Sequence, residues 1–314
     1  MKKIRIGIIG TSDIAFRRFL PSLLKNNNFE YVGVASRDIN KTKIFVDTFG
    51  GRGYGSYYHI INDNSIDALY IPLPPALHFE WAKKALKKGK HVFLEKPFTT
   101  SSYDTKILVD IARSKQLALH ENYMFMFHSQ VKHAKSIVDN KTLGKVRQIF
   151  IKFGFPKRES LDFRYNKSLG GGSLLDCGGY TIKLASLLLG KSAQVVFSSL
   201  LKVDSGVDVV GNVVMQSDDM LTAHLSFGMD NCYKCSLDLW GSNKCALYER
   251  IFTAPEDMNP PVCIDGVKRM LPNDNQFYNS IDYFLYCIND KIQAEESYLS
   301  ILKQAQLVNN AMNG

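Results

Sequence analysis

The sequence predicts an α/β domain with a doubly wound parallel sheet over residues 1–122. A second α+β domain over 123–314 follows, built on a largely antiparallel or mixed sheet. Three observations predict this. Short β-branched runs alternate with helical stretches through the first 122 residues, which implies right-handed βαβ units. Beyond them lie alternating, β-rich runs at Val146–Phe155, Gln194–Val203, Val207–Gln216, Leu221–Gly228 and Lys234–Trp240. The length of 314 residues exceeds one ordinary single-core domain and suits two, at roughly 150 residues each.

The first strand is Ile4–Ile9 (IRIGII), ending at Gly10, and Thr11–Ala15 opens a helix. A strand, a glycine turn and a helix start make an anion site, because unpaired backbone N–H groups and the helix dipole face the phosphate. Against G-x-G-x-x-G/A the match is Gly10-x-Ser12-x-x-Ala15. Gly10 makes the tight turn and Ala15 allows close packing of helix on strand. Ser12 departs from the pattern but is small, with a hydroxyl able to meet a phosphate oxygen. Asp13 and Ile14 complete the candidate phosphate-binding turn.

The second strand, Tyr31–Ala35, ends in Ser36-Arg37. An acidic residue at this place accepts hydrogen bonds from a ribose 2′-hydroxyl and would repel a 2′-phosphate, which Ser and Arg would bind. NADP(H) is therefore preferred over NAD(H), although Asp38 would bring a carboxylate to the ribose after a small shift of register. A third strand, Ala68–Ile71, runs into Pro72-Leu73-Pro74-Pro75, a rigid loop poor in N–H donors and expected against the nicotinamide ring. His78 follows at a helix start, as a cofactor-site residue or as a plain helix-start residue without a ligand. The helix around Phe79–Lys90 carries Lys83, Lys84, Lys87 and Lys88, the pattern of a solvated face.

His91–Leu94 reads as a buried strand, and Glu95-Lys96-Pro97 follows at the carboxyl edge, where doubly wound sheets hold ligands. Proline biases Lys96 toward extended backbone and admits a cis bond. Taken alone, Lys96 also reads as a surface lysine before a turn. A helix near Tyr103–Lys115 and a strand at Ala118–His120, running into Glu121-Asn122-Tyr123, close the domain.

An amphipathic helix is expected over Phe125–Lys141. The run Gly170-Gly171-Gly172-Ser173-Leu174-Leu175-Asp176-Cys177-Gly178-Gly179-Tyr180 then opens a helix to Leu189. Its glycines would let backbone approach a ligand. Asp176 and Tyr180, four apart, share a face. A phenol with an ordinary pKa of about 10 can give a proton to a developing alkoxide if an ammonium such as Lys96 stabilises the phenolate. The bland alternative is a half-buried aromatic at a glycine-rich helix start.

Composition narrows the classes. Hydrophobic content of 45% and charged content of 22% suit a globular protein. No apolar run reaches the ~20 residues of a membrane span, and the first residues lack the pattern of a signal peptide, so a cytoplasmic location is expected. The net charge of +9 suits anionic ligands. Without a basic–aromatic module it does not indicate nucleic acid. Cys232-x-x-Cys235 lies where a strand would send the two thiols to opposite faces, and no further Cys or His pair completes a metal site.

Together these motifs resemble the glucose–fructose oxidoreductase-like, or Gfo/Idh/MocA, family over nearly the whole chain. Its nucleotide-sugar 3-ketoreductases of deoxysugar pathways are the most similar branch. The carrying residues are the leading GIIGTSDIA, VASR, the proline loop with His78, EKP, GGGxxxDxGxY, Ser12–Pro21, Glu121–Phe125 and Asn275-Gln276-Phe277. The resemblance implies a Rossmann domain and an open-faced sheet domain that often serves oligomerisation, here a homo-oligomer (dimer or tetramer). It implies that Lys96 is catalytic and Tyr180 the proton donor, and it adds Glu95, Asn122 and Arg164 to the cofactor site. Lys96, Asp176 and Tyr180 would bind substrate. Many sugar dehydrogenases of the family carry His where Tyr180 stands. The tyrosine favours reduction of a nucleotide-linked keto-sugar over oxidation of a free sugar, polyol or trans-dihydrodiol; a cofactor-binding sensor without chemistry is the remaining alternative.

Overall fold

The computed structural model describes residues 2–159 and 161–314, which form two compact units. The first unit comprises residues 1–122 and Phe277–Ala305, and the second Tyr123–Gln276 and Gln306–Gly314.

In the first unit β1 (Ile4–Ile9), β2 (Phe29–Ala35), β3 (Arg52–Tyr54), β4 (Ala68–Ile71), β5 (His91–Glu95) and β6 (Leu119–Asn122) form one sheet in the order β3-β2-β1-β4-β5-β6. All its pairs are parallel. Residues alternate between two apolar layers, as the period of two requires. Leu69, Ile71, Val92 and Leu94 enter one layer, while Ala68, Tyr70 and Phe93 enter the other. Both faces are thus covered, the condition under which strands read as continuous apolar runs. The order reverses between β1 and β4, and there the carboxyl ends of doubly wound sheets leave a crevice.

The expected strands are all present. β3 is an addition: three exposed or half-buried residues at the sheet edge carry no apolar signal. The helix after β4 spans Pro75–Lys87, beginning at a proline rather than near Phe79, because the first helical position needs no N–H.

The two contiguous domains expected from the sequence give way to an interleaved division. Helix Gln276–Asn289 brings Ile281, Phe284 and Cys287 into one apolar layer of the first unit, with the Phe284 ring 5.3 Å from Phe93. Helix Lys291–Asn313 brings Ala294, Tyr298 and Ile301 into the other. Their apolar stripes cover a sheet that the first 122 residues leave partly bare. The last residues, with Leu307 and Ala311, join the core of the second unit.

That second unit holds β7 (Val146–Gly154), β8 (Gln194–Lys202), β9 (Asp208–Gln216), β10 (Thr222–Gly228), β11 (Lys234–Gly241), β12 (Cys245–Glu249), β13 (Pro261–Ile264) and β14 (Val267–Met270). Their order is β14-β13-β12-β11-β7-β10-β9-β8, antiparallel except for the β7–β10 pair. Alternate residues such as Ala223, Leu225 and Phe227 are buried, sharing a core with Val131, Ala134 and Ile137 of helix Ser129–Asp139 and Leu184 and Leu188 of helix Gly179–Leu189. Phe197, Trp240 and Leu247 are exposed apolar side chains on its strands. The single helix expected from Phe125 is instead a short 3₁₀ turn, Met124–Phe127, and a helix starting at Ser129. His128 interrupts them and caps the second through Nδ1, which accepts from Gln130 N.

Cys235 is buried on β11 and Cys232 is exposed in the preceding turn, both as free thiols. Among the described residues no helix is long and apolar enough to cross a membrane, and no three His, Cys, Asp or Glu gather as metal ligands.

Candidate active site

Gly10 leaves β1 with φ +109°, a conformation that favours glycine. A Cβ there would stand 2.7 Å from Leu73 Cδ2, so the glycine turn and the Pro72–Pro74 loop are in close contact at the switch point. The following helix, 13–23, widens to a π turn over Ala15–Phe19. Ser12 Oγ accepts from Ala15 N at 3.2 Å; it caps this helix and keeps its own proton to donate. Asp13 forms an exposed ion pair with Arg17, and Ile14 is half-buried.

At the end of β2, buried Ser36 donates its backbone N–H to Tyr54 O, and its hydroxyl oxygen accepts from Asp38 N. The Asp38 carboxylate accepts from Asn40 N at 3.0 Å and caps the short helix Ile39–Thr42, an employment that explains an acid so near the ribose position. Arg37 is exposed and faces the Tyr57 hydroxyl; burial raises the Tyr57 pKa and the guanidinium opposes that rise. A cradle that only glycine fills, a fresh helix start and an exposed guanidinium beside Ser36 fit a dinucleotide carrying a 2′-phosphate.

His78 is fully buried. Its Nε2 lies 2.7 Å from Leu73 O, and its Nδ1 lies 2.9 Å from Pro97 O and 3.3 Å from Phe98 O. Burial pushes its pKa down, against the carbonyls that would raise it, and prevails. The structure places His78, expected at the cofactor, against backbone. Both ring nitrogens face backbone carbonyls; the neutral imidazole carries one N–H, which donates to the Leu73 or the Pro97 carbonyl according to tautomer, between the proline loop and the segment after Lys96.

Lys96 is half-buried at the end of β5 and joined to Pro97 by a cis bond. Its backbone N donates to Glu95 Oε2 at 3.3 Å. Glu95 Oε1 accepts from Tyr70 Oη at 2.7 Å and from Asn122 Nδ2 at 2.6 Å. Ser280 Oγ donates to Asn122 Oδ1 at 2.9 Å, and His120 Nε2 lies 2.9 Å from Ser280 Oγ. Burial raises the Glu95 pKa, while the Asn122 and Tyr70 hydrogen bonds and the Lys96 charge pull it back. Glu95 and Asn122, expected as cofactor contacts, are in this structure tied to protein groups. Their network runs along the carboxyl ends of β4, β5 and β6 and fixes the residue preceding Lys96.

In the second unit the Tyr180 ring is buried among Tyr123, Phe125, Phe153 and Phe252, with centroids 5.2–5.6 Å away. Its hydroxyl lies 3.7 Å from Met124 Sδ, a weak acceptor easily exchanged for a better one. Asp176 Oδ2 accepts from Arg164 Nε at 2.7 Å, and Arg164 also pairs with Asp162 at 3.1 Å. Burial would lower the Arg164 pKa, but the two carboxylates outweigh it and raise it. Arg164, expected at the cofactor, thus anchors Asp176. The glycine-rich segment also departs from its expected role. A Cβ at position 171 would overlap the Arg164 carbonyl, and one at position 172, where φ is +128°, the Asp208 carboxylate. The close approach is to protein. Asp208 caps the ensuing helix through Ser173 Oγ and Leu174 N.

Residues 4–123 match the model of an oxidoreductase family with an NAD-binding Rossmann fold, and residues 131–246 match the Gfo/Idh/MocA C-terminal domain. The chain belongs to the Gfo/Idh/MocA oxidoreductase family. Within it, the chain is 37% identical to dTDP-3,4-didehydro-2,6-dideoxy-alpha-D-glucose 3-reductase of Saccharopolyspora spinosa, across 98% of this chain and 96% of the relative. The reductase of the same name from Actinomadura kijaniata is 36% identical, across 99% and 95%. The crystal structure of KijD10, a 3-ketoreductase from A. kijaniata in complex with NADP and TDP-benzene, superposes with a TM-score of 0.94 at 36% identity, covering 100% of this chain and 98% of that one. KijD10 has also been crystallised with one tyrosine replaced by phenylalanine and with one lysine replaced by alanine.

Four residues of these hydrogen-bond networks were not singled out from the sequence: Tyr70, His120, Ser280 and Asp208. Tyr70 had a usable signal, a phenol inside the apolar run ALYI, since a buried hydroxyl needs a partner. Ser280 had none, because its role depends on where the last helices return.

Proposed function

We propose that this protein is an NADPH-dependent reductase of the C3 keto group of a nucleotide-diphosphate-linked keto-deoxyhexose, of the dTDP class on which its relatives act. The observation that carries this reading is the full-length likeness to 3-ketoreductases combined with a matching pair of functional side chains. The lysine and tyrosine replaced in KijD10 stand 84 residues apart, as Lys96 and Tyr180 do here.

The nicotinamide cofactor, when bound, supplies the hydride. Gly10, Ser12 and the first amides of helix 13–23 hold its diphosphate, Ser36 and Arg37 its 2′-phosphate, and the Pro72–Leu73 loop flanks its ring. Tyr180 gives its phenolic proton to the ketone oxygen as that oxygen gains charge, and the phenolate is re-protonated from solvent. Lys96 supplies the positive charge that favours both the developing alkoxide and the phenolate. The network ending in Glu95 orients Lys96 through the backbone. Asp176, held by Arg164, keeps the start of the Tyr180 helix in place and is the candidate for a substrate hydroxyl. A cytoplasmic enzyme assembled as a homo-oligomer, dimer or tetramer, belongs to the same reading, supported by the exposed Phe197, Trp240 and Leu247 on β8, β11 and β12.

The test is NADPH consumption with a dTDP-linked 3-keto-6-deoxyhexose generated in place by a dehydratase. Turnover that is absent with free sugars supports the reading. Turnover only with a free aldose, polyol or dihydrodiol overturns it.

A further inference from the structure

Lys183 stands three residues beyond Tyr180 on helix Gly179–Leu189, so the two side chains leave the same face. Lys183 is half-buried, and its ammonium lies 5.6 Å from the centre of the Tyr123 ring, within the range of a cation–π contact. Tyr123 is buried, and its ring meets that of Tyr180 at 5.2 Å and 89°. One ring therefore has the ammonium and the phenol of the proposed proton donor as neighbours. The helix leaves room for it. A Cβ at position 179 would overlap the Tyr123 hydroxyl, so glycine there lets that hydroxyl lie against the backbone one residue before Tyr180.

The rings of Phe125, Phe153 and Phe252 also close around Tyr180, and Met124 Sδ lies 3.7 Å from its hydroxyl. Apolar surroundings disfavour the charged form of an acid they enclose, and a phenol that gives up its proton becomes an anion. A cation close by offsets that cost. Ahead of Tyr180, the Asp176 carboxylate is paired with Arg164 at 2.7 Å. Lys183 sets a positive charge on the turn that follows. Even at about 10 Å, at the effective dielectric of a protein, one unit charge moves a neighbour's titration by about one pH unit.

We infer that Lys183, seated on the Tyr123 ring, is a positioning residue for the proton donor, an inference that rests on the reading of Tyr180 as that donor. The ammonium holds the Tyr123 ring, and that ring fixes the Tyr180 side chain. Its charge favours the phenolate left behind when the ketone oxygen takes the proton. No bond to Lys183 forms or breaks: the proton passes from Tyr180 Oη to the substrate oxygen, the hydride of NADPH goes to the carbon, and Lys183 stays an ammonium. Because Lys183 rides on the helix that carries Tyr180, its field moves with the phenol.

The experiment compares single-turnover reduction of a dTDP-linked 3-keto-6-deoxyhexose, from neutral to alkaline pH, in the full chain and four variants: Lys183→Met, Lys183→Arg, Tyr180→Phe and the Tyr180→Phe, Lys183→Met double. Lys183→Met keeps the unbranched stem and removes the charge. It should lower the neutral-pH rate about three- to tenfold and move the alkaline limb, where the donor has lost its proton, up by about one pH unit. Steady-state KM and NADPH affinity should stay within about twofold. Lys183→Arg keeps the charge and should bring both rate and limb back. In the Tyr180→Phe background, Lys183→Met should have no further effect, since the residue acts through the phenol. Melting temperatures check the fold, and Lys183→Gln replaces Lys183→Met if the latter melts early. An unmoved alkaline limb, an equal loss in the phenylalanine background, or a loss of NADPH affinity in place of rate overturns the inference and leaves Tyr180 as the donor. Full activity in Tyr180→Phe removes Tyr180 from the chemistry, and this inference falls with it.

Discussion

Asn122 donates its side-chain amide to the Glu95 carboxylate at 2.6 Å, at the carboxyl ends of two adjacent parallel strands. The contact places a half-buried acid under the backbone of Lys96, and Tyr70 supplies a second donor to the same oxygen. A carboxylate so placed is costly unless its hydrogen bonds are complete.

Tyr70→Phe therefore removes one of the bonds that keep Glu95 ionised. The expected loss is about 1.5–3 kcal/mol at pH 7, the range for hydrogen bonds to charged groups. Burial already holds the Glu95 pKa above its ordinary value, and losing the phenol raises it further. The loss is thus largest where the carboxyl is ionised and shrinks as pH falls through the folded-state value. Urea unfolding of both proteins at neutral and acidic pH measures this; an equal loss at both would show that the carboxyl is neutral throughout.

Acid sensitivity of the whole fold follows from its histidines. Burial lowers the pKa of His78, His91, His128 and His133. The unfolded chain, with ordinary values near 6.5, binds more protons than the folded one below that pH. The stability these residues contribute is present above about pH 6.5 and is lost as pH falls toward their folded-state values, with Glu95 opposing the trend. His78→Gln should flatten this fall. It should also cost about 1–3 kcal/mol, by removing the one N–H that the neutral ring gives to the Leu73 or Pro97 carbonyl. Urea midpoints at pH 7.5 and 5.5 test both statements.

Arg37→Ala should weaken NADPH about 10- to 100-fold and leave NADH within about twofold, because the guanidinium addresses only the 2′-phosphate. Fluorescence titration with each cofactor measures the difference. Equal losses would remove Arg37 from cofactor selection and return attention to Asp38.

The first sheet was legible because both of its faces are buried, so β1, β4 and β5 stand out as unbroken apolar runs between glycine and proline turns. β3 was not, since Arg52-Gly53-Tyr54 at the edge buries too little to leave a pattern. The last two helices show apolar stripes, but a stripe says only that something is covered. That Phe284 meets Phe93 is decided by tertiary packing. At the site, Gly10, Lys96 and Tyr180 could be singled out by residue type and place, because strand ends and helix starts limit where such groups can go. Other partners were not legible, for one shared cause. His78, Arg164 and the glycines at 171 and 172 are polar or permissive residues near a predicted site, and sequence does not distinguish a ligand from a neighbouring loop as their partner. In each case the partner is protein: Leu73 and Pro97 carbonyls, Asp176, or the backbone of residue 164.

Tyr180→Phe separates chemistry from structure in one substitution. The ring carries the packing, against Tyr123, Phe125, Phe153 and Phe252, and phenylalanine preserves it. The hydroxyl contact with Met124 Sδ, at 3.7 Å, is a weak one. Positioned acid catalysis is worth roughly 100- to 10,000-fold, and kcat should fall on that scale. NADPH affinity should not move, because no cofactor-holding group changes. Single-turnover kinetics with the keto-sugar, beside a thermal melt, reads both quantities from one preparation. A fall in kcat without a fall in melting temperature assigns the proton to Tyr180. Full activity would mean that another donor, with Lys96 the first to examine, protonates the ketone oxygen.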